Sequence, residues 1–215
     1  MGRIAPAVSI DARCPWAGRT AARRYTPREL ADQVLARMTL EEKLGLVDLH
    51  AGDGYENTDT GVPRLCIPAL TLQDSPNGIA YGATGVTQLP ASLGLAATFD
   101  PSLARAYGAV LGQEARGQGI AVVQGPNLNL DRVPQSGRAF EAYDEDPYLT
   151  SVVGVADIEG IQSGHVMADA KHYTAYTQET ARLNLDQLQA AEVAVLKRRG
   201  DRRCERSPKT GALRR

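Results

Sequence analysis

An α/β fold built on a parallel sheet is what the sequence predicts, and two observations carry that prediction. Short apolar runs, PALTLQ (68–73), ASLGLAAT (91–98), GIAVVQGPNLNL (119–130) and VMADA (166–170), alternate with amphipathic stretches of helical length. Helix-start signals recur ahead of them at Thr26-Pro27 and between them at Asp100-Pro101 and Asp146-Pro147. Strands separated by helices of that length form βαβ units, whose crossovers make neighbouring strands parallel. A dinucleotide-binding doubly wound sheet would place its glycine fingerprint directly after a strand. Here GQGIAVVQG precedes and contains the strand instead. The periodicity leaves open sheet and closed barrel both standing.

Each element has a local reason. Residues 1–24 lack periodic patterning and read as an irregular arm. TPRELADQVLARM then supplies Thr26, Pro27 and Glu29 as N-cap, first helical residue and capping-box partner, with Leu30, Val34, Leu35 and Met38 as an apolar stripe. Thr39 and Glu42 repeat the start signal for a second helix. Residues 51–64, polar and glycine-rich, read as a loop. The first strand ends at Asp74 before the turn SPNG, and 91–98 reads as the second strand. A helix opens at Asp100 with Leu103, Tyr107, Val110 and Leu111 expected inward. A third strand within 119–130, a helix from Asp146 to about Gly164 and a fourth strand at VMADA follow. A last amphipathic stretch begins near Asp186, and there is no internal repeat of fixed period.

Composition narrows the function classes. The chain has 215 residues, 43% hydrophobic and 23% charged, as ordinary soluble globular proteins do. No apolar run approaches the roughly 20 residues that span a bilayer, and the N-terminal stretch lacks the apolar core of a signal peptide. As written, this reads as a cytoplasmic protein with no membrane partner. Three cysteines (Cys14, Cys66, Cys204) without CxxC spacing suggest neither a disulfide framework nor zinc, and read as ordinary thiols. His165 and His172 lack metal-binding spacing and His50 is isolated, so neither metal nor cofactor is expected. The formal charge of −1 divides into +7 on residues 197–215 and −8 on the rest. That basic tail carries no aromatic residue for stacking on bases, and nucleic acid is not an expected partner.

Active sites of parallel α/β folds form where strands end. Asp74 follows one such end, NLNLDR and then Arg138 of SGR follow another, and Lys171 and His172 follow a third. A carboxylate that accepts, and basic groups that donate, could together fix the hydroxyls of a sugar. The pair Lys171-His172 also poses a geometric problem. Adjacent strand residues point to opposite faces, so both can serve one ligand only if the backbone leaves regular strand geometry there.

The wording of four segments completes this reading. GPNLNLDRVPQSGRAFEAYDEDPYLT (125–150), KHYTAYTQET (171–180), LQDSPNGI (72–79) and ARMTLEEKLGLV (36–47) resemble glycoside hydrolase family 3, the β-glucosidase and β-xylosidase family, in order and spacing. The resemblance implies that residues 27–186 are about the first half of a (β/α)8 TIM-type barrel, followed by a divergent tail at 187–215. It implies that Asp74, Arg138, Lys171 and His172 grip the sugar of a β-linked glycoside, without cofactor. It also implies a non-proline cis peptide near Lys171–Tyr173 and a helix-capping role for Asp146 in DEDP. Where the family reads DGP, this chain reads DSPNG and keeps the aspartate.

Retaining glycosidases need two carboxylates about 5–5.5 Å apart, one nucleophile and one acid/base. The family's nucleophile lies in a Ser-Asp-Trp-like motif on a later strand, yet Trp16 is the single tryptophan here. Asp131 and Glu141 flank Arg138 without suggesting a substitute pair. The expectation is a fragment of a retaining β-glycosidase that binds sugar while nucleophile and acid/base lie outside it. A non-catalytic carbohydrate-binding relic and, more remotely, a basic-tailed nucleic-acid-associated protein are the alternatives.

Overall fold

The computed structural model describes residues 14–173 and 176–180. The expected helix near Asp186 and the basic tail lie outside them. The chain divides into two compact units, Met1–Leu72 and Gln73–Arg215.

The first unit holds helices α1 (Arg19–Arg24), α2 (Pro27–Leu35) and α3 (Leu40–Gly45). α1 falls inside the stretch expected to be irregular. Both predicted capping boxes form. Glu29 Oε2 accepts from the Thr26 N–H at 2.7 Å, while Thr26 Oγ1 accepts from the Glu29 N–H at 3.3 Å. Thr39 and Glu42 repeat the exchange at 2.8 and 3.2 Å. Glu42 also receives Arg64 at 2.5 Å, and that hydrogen bond, seconded by the Thr39 N–H, holds its carboxyl down to about 2.

The core of this unit is Cys14, Trp16, Val34, Met38, Val62 and Leu65. Leu35, expected in the α2 stripe, is exposed instead. Cys14 and Cys66 form a disulfide with Cα atoms 6.1 Å apart, which corrects their reading as ordinary thiols. The pair is 52 residues apart in sequence, so only the folded path of the chain brings them together. Trp16 donates from Nε1 to the Leu65 carbonyl at 2.8 Å, and the Arg37 guanidinium lies 4.7 Å from the Trp16 ring centroid.

Strand β1 (Asn57–Thr58) was expected to be loop. It pairs antiparallel with β2 (Thr71–Asp74), Asn57 opposite Leu72 and Thr58 opposite Thr71. Asp59 Oδ1 accepts from the N–H groups of Gly61 and Leu70, a side-chain bridge that no period-2 pattern announces.

In the second unit the segment read as a strand at 91–98 is a short helix, α4 (Ser92–Ala96). Ser92, Leu95 and Ala96 are its buried positions, spaced as one helical face. Ala and Leu favour helix and the run carries no β-branched residue before Thr98, so local preference decides. α5 (Pro101–Gly117) and α6 (Pro147–Ser163) start where predicted, with Asp100 and Asp146 each accepting two backbone N–H bonds.

α5 buries Ala104, Tyr107, Gly108, Leu111, Gly112 and Ala115, whereas Leu103, expected inward, is exposed. Small residues form that face because α6 approaches closely. A Cβ on Gly108 would overlap the Asp157 carbonyl, and one on Gly112 the Ile161 carbonyl. β3 (Val122–Gln124) and β4 (Met167–Ala168) pair in parallel, Val122 with Met167 and Val123 with Ala168. Strand order follows chain order, β1-β2-β3-β4. Among the described residues no helix is long and apolar enough to cross a membrane.

Candidate functional site

Hydrogen bonding carries the β3–β4 ladder beyond the strands and sets the site. The Lys171 N–H donates to the Pro126 carbonyl at 2.9 Å, and the Leu128 N–H donates to the Lys171 carbonyl at 2.6 Å. Asn127 and Lys171 thus form an isolated parallel bridge past the strand ends. The Lys171–His172 peptide is cis, as the family resemblance implied, and Gly125–Pro126 is cis as well.

The four expected residues meet as two joined pairs. Lys171 Nζ forms an ion pair with Asp74 Oδ1 at the end of β2. His172 Nε2 faces Arg138 Nη1 at 3.5 Å. Asn129 Oδ1 accepts from the His172 backbone N–H at 2.9 Å and lies 2.9 Å from Nδ1. Because a backbone N–H only donates, the Asn129 atom is the acceptor oxygen, and Nδ1 therefore carries a proton. Nε2 is then left as an acceptor toward Arg138.

Arg138 sits in the structural ion pair that its acidic surroundings suggest. Glu141 accepts its Nε at 3.0 Å and its Nη2 at 2.5 Å, a bidentate grip. Tyr176 Oη accepts Nη1 at 3.2 Å and itself donates to Glu179. Burial works against the guanidinium charge, but the hydrogen bonds from Glu141 and Tyr176 outweigh it and raise its pKa. The result is a fixed cation with two of its nitrogens anchored by carboxylate.

A small, partly open cleft lies beside this network, lined by Asn127, Asn129, Asp131, Arg138, Tyr176 and Glu179 among others. Sequence reasoning named Arg138 there but passed over Asn129 and Tyr176. One signal for Asn129 was available in the alternation of NLNLD, which sends alternate residues to one side. Tyr176 follows the motif pair by four residues in irregular chain, where no periodicity indicates direction. Asp146 caps α6, in keeping with the role the resemblance implied.

A partial α/β barrel of TIM type is the class this fold defines. Comparison with known proteins then identifies the lineage. The pattern described as glycosyl hydrolase family 3 N terminal domain matches residues 17–195. Thermostable beta-glucosidase B of Acetivibrio thermocellus is 35% identical over 165 residues, covering 72% of this chain and 21% of the relative. Among solved structures, DesR, a beta-glucosidase from Streptomyces venezuelae in complex with D-glucose, is 42% identical with a TM-score of 0.68. That match covers 74% of this chain and 20% of DesR. Beta-glucosidase 3B from Thermotoga neapolitana in complex with α-D-glucose is 32% identical, with a TM-score of 0.64 over 70% of this chain and 24% of the other. The chain belongs to glycosyl hydrolase family 3. It spans about a fifth of the length of the relatives it matches.

Proposed function

We propose that this chain supplies the sugar-gripping part of a retaining β-glycosidase acting on β-glucosides or β-xylosides. Asp74 accepts hydrogen bonds from sugar hydroxyls, Lys171 and Arg138 donate them, and His172 is held by Asn129 to present Nε2. One observation carries the reading: four polar residues from three separate segments, Asp74, Arg138 and the adjacent Lys171 and His172, meet as two joined pairs beyond the ends of β2 and β4. Glucose-bound relatives at 42% and 32% identity support the ligand class.

In a retaining mechanism such groups strengthen their hydrogen bonds as the ring approaches its oxocarbenium-like transition state. Residues outside 27–186 then provide the attacking carboxylate and the acid/base. The four binding residues alone hold sugar and do not divide hydrolysis into two steps.

The test is a calorimetric titration of the 215-residue chain with glucose, beside an assay on 4-nitrophenyl β-D-glucoside. Saturable binding is expected, with Asp74→Ala weakening it more than about tenfold, or 1.4 kcal/mol. No nitrophenol release is expected. Equal glucose affinity in the Asp74→Ala variant would remove Asp74 from the site. Turnover by the chain alone would overturn the division of labour.

A further inference from the structure

The segment Asn127–Asp131 reads Asn-Leu-Asn-Leu-Asp, and its alternation sorts side chains to two sides. Leu130 is buried, and Leu128 packs into the space that Gly154 of α6 leaves by lacking a Cβ. Asn127, Asn129 and Asp131 line the cleft instead. Two of those three polar groups have work inside the fold. Asn127 Oδ1 accepts the Asn129 N–H at 3.0 Å, and Asn129 Oδ1 holds His172.

Asp131 differs. Its Oδ2 is buried and has no hydrogen-bond partner among the described residues. Arg138, the cation in the same cleft, is engaged by Glu141 and Tyr176. Burial, and after it the charge of Asp144, pushes the Asp131 carboxyl up to about 6. A buried acceptor left without a donor is costly, so a cleft ligand that brings a hydroxyl gains by meeting it.

We propose that Asp131 is a further sugar-contacting residue, its Oδ2 accepting a hydrogen bond from a hydroxyl of the glycoside that Asp74, Arg138, Lys171 and His172 hold. The assignment rests on the sugar-binding reading above and extends it to a residue beyond the four that the resemblance implies. Asp131 contacts the ligand without taking part in bond cleavage.

The experiment titrates the full chain, Asp131→Asn and Arg138→Ala with glucose, then repeats the first two with the monodeoxyglucoses. Asp131→Asn is expected to weaken glucose about fivefold or more, with an unchanged circular dichroism spectrum. One monodeoxyglucose should bind the unmutated chain and Asp131→Asn equally, because it lacks the hydroxyl through which the substitution at 131 is felt. Full affinity in Asp131→Asn, with loss in Arg138→Ala, would overturn the Asp131 assignment and leave the sugar site standing. An unmutated chain that takes up no glucose would overturn both. Should Asp131→Asn not fold, the 13C carboxyl resonance of Asp131 in the unmutated chain decides. It moves on saturation with glucose if the assignment holds, and a static resonance contradicts it.

Discussion

Asp157 shows how much one side chain can tie stability to pH. It lies on α6 at 1% exposure, and burial pushes its carboxyl up to about 7 against the lowering effect of the Tyr143 hydroxyl. Tyr143 donates to Oδ2 at 2.5 Å, while Oδ1 has no partner among the described residues. The facing titratable groups are Tyr143 and Tyr107, whose own hydroxyls burial pushes upward, Tyr107 to about 12. An unfolded Asp titrates near 3.9, so the folded chain binds the extra proton between that value and about 7. The Asp157 contribution is therefore fully present below about pH 4 and lost as pH rises through 7. Asp157→Asn should flatten the fall in stability from pH 4.5 to 7.5, read by urea unfolding at several pH values. A slope equal to that of the unmutated chain would contradict this. The candidate site divides in the same residue-by-residue way. Asp74, Arg138, Lys171 and His172 could be read because motif wording marks them. Asn129 acts through a hydrogen bond to a residue 43 positions away, and Asp131 is marked by an Oδ2 with no hydrogen-bond partner among the described residues. Neither property is written in local sequence.

The α5–α6 pair explains which elements could be read and which could not. Both helix starts depend on Asp and Pro within three residues, so they were visible without tertiary information. The two capping boxes were visible for the same reason. The buried face of α5 was not, because a search for large apolar residues passes over Ala104, Gly108 and Gly112 and selects Leu103. Close approach is the physical cause: Gly160 of α6 meets the Arg105 carbonyl, and Gly164 meets Gly112. Gly112→Ala should destabilise the chain by about 1–2 kcal/mol, the overpacking cost less the gain in helix propensity. Its urea midpoint is the measurement, and a rise in that midpoint would show that α6 can retreat freely. The strand expected at 91–98 became α4 for a related reason. A short apolar run satisfies strand and helix period templates equally; the helix preference of its Ala and Leu separates them, and Ser92, Leu95 and Ala96 then fall on one buried face.

The Cys14–Cys66 bridge is the largest feature of the chain that sequence reading missed, because pairing depends on the whole path of the first unit. Closing a loop of 52 residues constrains the unfolded chain by about 4 kcal/mol in the chain-entropy account. Such bridges persist under oxidising conditions, which sets this one against the cytoplasmic expectation drawn from the N-terminal sequence. Cys14→Ala should lower stability by about 2–4 kcal/mol, with reductant giving a similar loss in the unmutated chain. Identical denaturation midpoints with and without reductant would refute the bridge. The barrel, by contrast, followed from motif order, since strand–helix alternation predicted a parallel sheet without choosing its closure. Whether those strand ends hold a sugar is read from the imidazole resonances of His172. Glucose added to the full chain should move them saturably, with at least tenfold weaker binding in Asp74→Ala. Resonances that stay fixed at high glucose, or an unchanged affinity in that variant, would contradict the sugar site.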